Sequence, residues 1–240
     1  MAVSRINVAA LREGLTSYGF EVFGSFVLEA QHCIANHDEY LGRQAILVGN
    51  IGSRIWLHFS QSAEYQDSEP DPLNRYTARI LGGVARAQDI EAIFPFDEPY
   101  WPFQRFASSA LGVQSSPLGM QIHPEFGLWY GLRGAFILPE DTELGYGVEG
   151  VGFAGGAGGV EFAQTHPCDT CMDKPCLTTC PVSAFTINGY NTEACYGHLD
   201  RGEDPDCRSL GCLARDACPV GKEYRYEPAH IRFHMDRVGR

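Results

Sequence analysis

Eight cysteines crowd into residues 168–218, and their spacing limits the chemistry open to them. Cys168, Cys171, Cys176 and Cys180 form a C-x2-C-x4-C-x3-C run with Pro181 directly after it. Cys195, Cys207, Cys212 and Cys218 follow at looser intervals, and Pro219 succeeds the last. Thiols this dense can be paired as disulfides, can share zinc, or can hold iron and sulfide. Disulfides persist in oxidising compartments. The N-terminal MAVSRINVAALREGLTSYGF has charges inside its apolar stretch and no cleavage signature, so it reads as an amphipathic helix and not as a signal peptide. A cytoplasmic, reducing setting is therefore expected, and disulfides are disfavoured. Zinc sites built from four cysteines are often made of paired C-x2-C knuckles. Here a single C-x2-C occurs.

The first run is similar to the C-x2-C-x2-C-x3-C-P run of bacterial ferredoxins, lengthened by two residues before its third cysteine. Three closely spaced thiolates wrap one cubane cluster from a single loop. The C-P turn aims the fourth thiolate away, and in two-cluster ferredoxins that fourth cysteine ligates the other cluster. Because C-P occurs twice here, two 4Fe–4S clusters with exchanged ligands are expected. One would take Cys168, Cys171, Cys176 and Cys218, and the other Cys180, Cys195, Cys207 and Cys212. Two zinc sites remain the alternative. His166 and His198 are read as neighbours of the metal, not as ligands. Cys33, far from the others, is read as a small buried hydrophobe. A cluster pair alone makes an electron carrier, yet enough chain precedes it for a separate domain. Delivery of electrons to a second redox centre follows as the economical reading.

The elements that must position this chemistry differ in type along the chain. Residues 8–18 fit an amphipathic helix, with Leu11 and Leu15 on one face. FEVFGSFVL and QAILVGN read as strands and RIWLHFSQS as a helix, and between them Gly49, Asn50, Gly52 and Ser53 either approach a cofactor closely or form a plain strand–helix turn. A helix starts at Asp71 as N-cap with Pro72 in its first turn, and carries Tyr76, Ile80, Leu81 and Val84 on one face. EAIFPF and LWYGLRGAFIL read as further strands. The aromatic FPFDEPYWPFQRF serves either a core or a pocket wall. Mixed strands and helices give an α+β layer domain over residues 1–145, a glycine-rich linker over 146–165, and a small ferredoxin-like domain over 166–240. The linker contains a formal G-x-G-x-x-G at Gly150, Gly152 and Gly155, but cysteines follow it where a dinucleotide fold needs a long helix.

Two segments of the first domain, DPLNRYTARILGGV (71–84) and SPLGMQIHPEFGLWYGLRGAFILPE (116–140), resemble the cobalamin-processing CblC-type family. The cysteine-rich tail, with CYGHLD around Cys195, resembles the iron–sulfur module of epoxyqueuosine reductases, which are also cobalamin enzymes. The resemblance implies a nitroreductase-like layer with a corrinoid pocket, and His123, Trp129, Tyr130 and Arg133 as cofactor-binding residues. It implies cobalamin as cofactor beside the clusters, and an electron-donor protein of the flavodoxin or ferredoxin-reductase type as partner. The chain departs from the CblC pattern at Glu125, where that family often has a basic residue. This argues against glutathione-dependent dealkylation. The acid motif of epoxyqueuosine reductases is not recognisable, which argues against tRNA-nucleoside reduction.

A net charge of −12 and the lack of a basic stripe argue against a nucleic-acid partner. No apolar run is long enough to span a membrane. The expected protein is an oxidoreductase of the cobalamin-reductase kind, passing electrons from two clusters to a bound corrinoid for its reduction or processing, or for reduction of an organic substrate. The alternative is a ferredoxin-type carrier that binds no corrinoid. A zinc-stabilised interaction protein is the third class.

Overall fold

The computed structural model describes residues 5–34, 37–140, 142–144, 165–186, 189–202 and 205–238. The G-x-G-x-x-G motif and nearly all of the glycine-rich linker lie outside the described residues. The chain divides into two units, one of residues 1–112 and 131–162, the other of residues 113–130 and 163–240. The segment 113–130 thus belongs with the cysteines, although it precedes the glycine-rich stretch in sequence.

The first unit is built on a four-stranded sheet in the order Glu21–Val27, Gln44–Ile51, Tyr130–Ile137, Glu91–Ile93. The outer pairs are antiparallel, with Val22 opposite Val48 and Ala92 opposite Phe136. Leu138 donates its N–H to the Gln44 carbonyl at 2.9 Å, tying the ends of the two central strands. Val22, Ile46, Leu47, Val48, Phe136 and Ile137 are buried. A near-continuous apolar run of this kind marks strands covered on both faces. The register of the first pair slips between Val22 and Gly24. The Phe23 ring there lies over Gly49, where a Cβ would collide with it and with the Gly131 carbonyl.

Helix Val8–Thr16 starts at Asn7, whose side chain accepts the Ala10 N–H at 3.1 Å, and buries Val8, Leu11 and Leu15. Helix Pro72–Ala87 buries Leu73, Tyr76, Thr77, Ile80, Leu81 and Ala85. The expected face is therefore rotated slightly, and Ala85 replaces Val84. Asp71 occupies the cap position but in a left-handed conformation with no side-chain cap. Arg75 fixes this turn instead, donating to both Asp67 carboxylate oxygens at 2.7 Å and to the Pro70 carbonyl at 2.9 Å. Helix Phe103–Leu111, closed by Gly112 at φ 65°, was not expected. It buries Phe103, Phe106, Ala107, Ala110 and Leu111, an i, i+3, i+4, i+7 pattern obscured by the aromatic composition around it. Trp101 is buried among Tyr40, His37 and Phe106, so this part of the aromatic stretch is core. The architecture is mixed α and β, as expected. None of the described helices is long and apolar enough to cross a membrane.

Glu64 is buried beneath helix Pro72–Ala87 and receives both Nε and Nη2 of Arg79. These hydrogen bonds hold its carboxyl down at about 2 against an ordinary 4.5, with burial opposing them. A depressed carboxylate pKa stabilises the fold above the ordinary value, and the contribution is lost as pH falls through the folded value. The urea midpoint of the protein should therefore drop between about pH 4.5 and about pH 2. In Glu64→Gln that part of the pH profile should flatten, from a midpoint already lowered at neutral pH.

Candidate metal centre

The four cysteines of the first run sit on short turns. Cys168 lies in the single helical turn Pro167–Thr170, where the Nδ1 of His166 accepts the Cys168 N–H at 3.2 Å. Lys174 interrupts the following loop in a left-handed conformation, φ 38°. Its ammonium donates to the carbonyls of Cys168 at 2.7 Å and Cys171 at 3.2 Å. Cys176 follows on the 3-10 turn Pro175–Leu177. Cys218 comes from the far end of the sequence, just after helix Leu213–Asp216. Cys168, Cys171, Cys176 and Cys218 line one pocket, walled by Leu118, Ile122 and Leu128.

Burial first, then the neighbouring thiols, pushes Cys168 up to about 11. Burial is also the first cause of the raised thiols at Cys176 and Cys218. The raised thiols of Cys168, Cys176 and Cys218 can ionise together only with positive charge among them. The donor set therefore suits a cationic iron–sulfur core with thiolate ligands.

A second group gathers Cys180, Cys195 and Cys212. The Cys212 thiol is raised by burial, accepts the N–H groups of Arg215 and Ala214, and feels both Cys195 and Cys180. Cys180 accepts the Ala184 N–H at 3.3 Å. Tyr190 hydrogen-bonds Cys195, and its ring stacks on Phe185 at 4.5 Å. Cys207 is buried on the short helix Pro205–Ser209. Among the described residues no three His, Cys, Asp or Glu side chains could hold a single metal ion together. Cys33 stands apart in the first unit, with its thiol raised by burial and then by Asp38 and Glu39. A raised, partly buried thiol is a poor nucleophile.

The segment 113–130 makes the wall of the first pocket. Gln114–Ser115 pairs antiparallel with Gln121–Ile122, which sets Leu118 and Ile122 inward. His123 then bridges to Gly127. At Gly127, φ 57°, a Cβ would strike the Val220 carbonyl, and at Gly221, φ 70°, one would strike the Phe126 carbonyl. Two backbones thus cross in direct contact right after Cys218. Tyr224 closes the crossing from the side, with its hydroxyl on Glu125 at 2.7 Å and its ring edge-on to Phe126 at 5.1 Å.

The four residues expected to hold a corrinoid are split by this arrangement. His123, Trp129 and Tyr130 belong to the second unit and Arg133 to the first. His123 stacks on Phe126 at 4.2 Å, and its Nδ1 accepts the N–H groups of Glu125 and Phe126. Burial lowers its pKa to about 4 against the opposing pull of Glu125, so the imidazole is neutral at pH 7. Trp129 is 3% exposed and packs against Tyr226 and Ile231. The Arg215 guanidinium lies 4.2 Å from the Trp129 ring and 4.7 Å from the Tyr226 ring, and donates to the Leu128 carbonyl at 2.5 Å. Burial raises the Tyr130 hydroxyl pKa. Arg133 donates through Nε to Asn50 at 2.8 Å, and Asn50 in turn donates to the Gly52 carbonyl at 3.2 Å. The end of strand Gln44–Ile51 and the turn after it are therefore held from within. Sequence reasoning missed Lys174, Tyr190 and Arg215. The signal for Lys174 was the two-residue lengthening of the first cysteine run; no spacing rule marks the other two.

No protein family and no curated protein matches the sequence. Among solved structures, the B12-trafficking protein CblC of C. elegans aligns with a TM-score of 0.52 at 12% identity, over 96% of this chain and 91% of that one. An epoxyqueuosine reductase bound to a tRNA-Tyr stem loop aligns at 0.43 and 15% identity, over 92% of this chain and 68% of that one. The Bacillus subtilis epoxyqueuosine reductase aligns at 0.42 and 15%, over the same shares. The likeness to CblC is one of fold, and the two lower scores carry no argument.

Arg215 covers two aromatic faces and satisfies one carbonyl, so Arg215→Ala should destabilise the protein by about 2–4 kcal/mol. Arg215→Lys should recover less than half of that loss, because an ammonium lacks the planar face that stacks on rings. Urea denaturation of the three proteins checks both expectations.

Proposed function

We propose that this chain is an iron–sulfur electron-transfer protein that holds two 4Fe–4S clusters. Cys168, Cys171, Cys176 and Cys218 would ligate one, and Cys180, Cys195, Cys207 and Cys212 the other. The observation that carries this reading is the pocket shared by three thiols of the first run and Cys218. The C-P turn at the end of the first run would aim Cys180 away from the other three. Cys180 accordingly lies outside that pocket and keeps company with Cys195 and Cys212. Exchange of fourth ligands between two closely packed clusters accounts for both facts. Clusters bound there would supply one-electron transfer. The chain's own part is to exclude water with Leu118, Ile122 and Leu128, and to direct N–H groups at the sulfurs of Cys180 and Cys212.

The electrons would pass to a corrinoid, making the protein a cobalamin-reducing or cobalamin-processing oxidoreductase served by an electron-donor protein. Support for this step comes from the sequence resemblance and from the fold shared with a B12-trafficking protein. The internal partners of Arg133 and Trp129 favour the second reading, a ferredoxin-type carrier without corrinoid.

Anaerobically prepared protein should contain roughly eight iron and eight sulfide per chain, as two cubane clusters require. A colourless preparation with stoichiometric zinc would overturn the cluster reading. Cys218→Ser should perturb the same cluster as Cys168→Ser, and Cys180→Ser the other, as read by electron paramagnetic resonance of the reduced proteins. Hydroxocobalamin added to the protein should shift the corrin absorption bands. Full iron with unshifted bands would leave the carrier reading in place.

A further inference from the structure

Lys174 lies in the stretch that lengthens the first cysteine run, and three observations single it out. It holds a left-handed backbone, φ 38° and ψ 57°, which costs an L-residue with a Cβ on the order of 1 kcal/mol and which glycine or asparagine would fill more readily. Its ammonium is turned back into the loop and donates to the carbonyls of two ligand-bearing residues, Cys168 and Cys171. It also lines the same pocket as Cys168, Cys171, Cys176 and Cys218. An exposed loop lysine normally keeps its ammonium in water, because the charge is strongly hydrated. Here Met172 takes the exposed position at the loop tip and the lysine is half-buried.

We propose that Lys174 is a positioning residue that places a fixed positive charge beside the first cluster and thereby raises that cluster's reduction potential relative to the second. This rests on the two-cluster reading above. The physical basis is that one-electron reduction adds one negative charge to a thiolate-ligated cluster. A cation held at the rim of an apolar pocket stabilises the reduced form more than the oxidised one, since the interaction is weakly screened there. Net charge near the cluster is one of the protein's levers on its potential. The second group of cysteines has N–H donors and the Tyr190 hydroxyl about it, and none of the interactions found there among the described residues involves Lys174. Its effect should therefore be selective.

The test is a redox titration, followed by electron paramagnetic resonance, of the full chain with both clusters loaded. The wild type is compared with Lys174→Met, Lys174→Gln and Lys174→Arg, and iron and sulfide are counted in each. In the two neutral variants one midpoint should fall while the other stays put, at unchanged iron content; Lys174→Arg should keep both midpoints near wild type. Unchanged midpoints in loaded neutral variants would overturn the proposal. Equal shifts in Lys174→Arg and Lys174→Met would also overturn it, since geometry and not charge would then be responsible. Loss of half the iron in both neutral variants, with full iron in Lys174→Arg, would reduce Lys174 to a tie that holds the loop. A wild type without iron would instead remove the two-cluster reading itself.

Discussion

Thiols brought together in an apolar space oppose one another's ionisation, and the second unit is organised around this conflict. Burial and mutual repulsion raise the thiols at Cys168, Cys176, Cys212 and Cys218. Such a site is stable in its ligating form only with positive charge at its centre. The surrounding chain lowers the cost where it can, through backbone N–H groups at Cys180 and Cys212 and through the Lys174 ammonium in the first loop. These groups are local in sequence, so the cysteine-bearing turns carry much of their own electrostatic support.

What closes the first pocket is not local. The wall formed by Leu118, Ile122 and Leu128 comes from a stretch that lies about 40 residues or more before the cysteines. It is held by the contact of two backbones at Gly127 and Gly221, with Tyr224 and Arg215 fastening either side. A Cβ at either glycine would have to displace a carbonyl, so this is a place where only glycine fits. The same packing explains the I-H-P-x-F-G stretch in physical terms. His123 stays neutral and stacks on Phe126, and its Nδ1 receives two backbone N–H groups that the turn would otherwise leave without acceptors. In the second unit this stretch helps to build the module that carries the cysteines.

The first unit follows a different logic. Its sheet is nearly apolar throughout, and the helices Val8–Thr16, Pro72–Ala87 and Phe103–Leu111 each bury one face. Two of its polar groups are held by arginines, Asn50 by Arg133 and the buried Glu64 by Arg79. Its resemblance in fold to a B12-trafficking protein comes at 12% identity. At that distance layer architecture persists, while the identity of pocket residues has to be established for each chain separately.

The sequence by itself determined several of the first unit's element types and the candidate ligands. Helical spacing placed Leu11 with Leu15 and Tyr76 with Ile80, the apolar runs marked the central strands, and the C-P repeats proposed that two cysteine runs exchange ligands. These are short-range patterns, dictated by backbone periodicity and by the reach of one loop around one cluster. Tertiary structure alone decided that residues 113–130 join the cysteine-rich unit, that Trp129 lies under Arg215, and that Arg133 is held by Asn50. It also decided that Lys174 turns inward. Each of these depends on which distant backbone approaches which side chain, and composition and periodicity carry no record of that. The aromatic stretch of residues 94–106 shows the limit well: its rings suit a core and a pocket wall equally, and only packing of Trp101 and Phe106 assigned these two to the core.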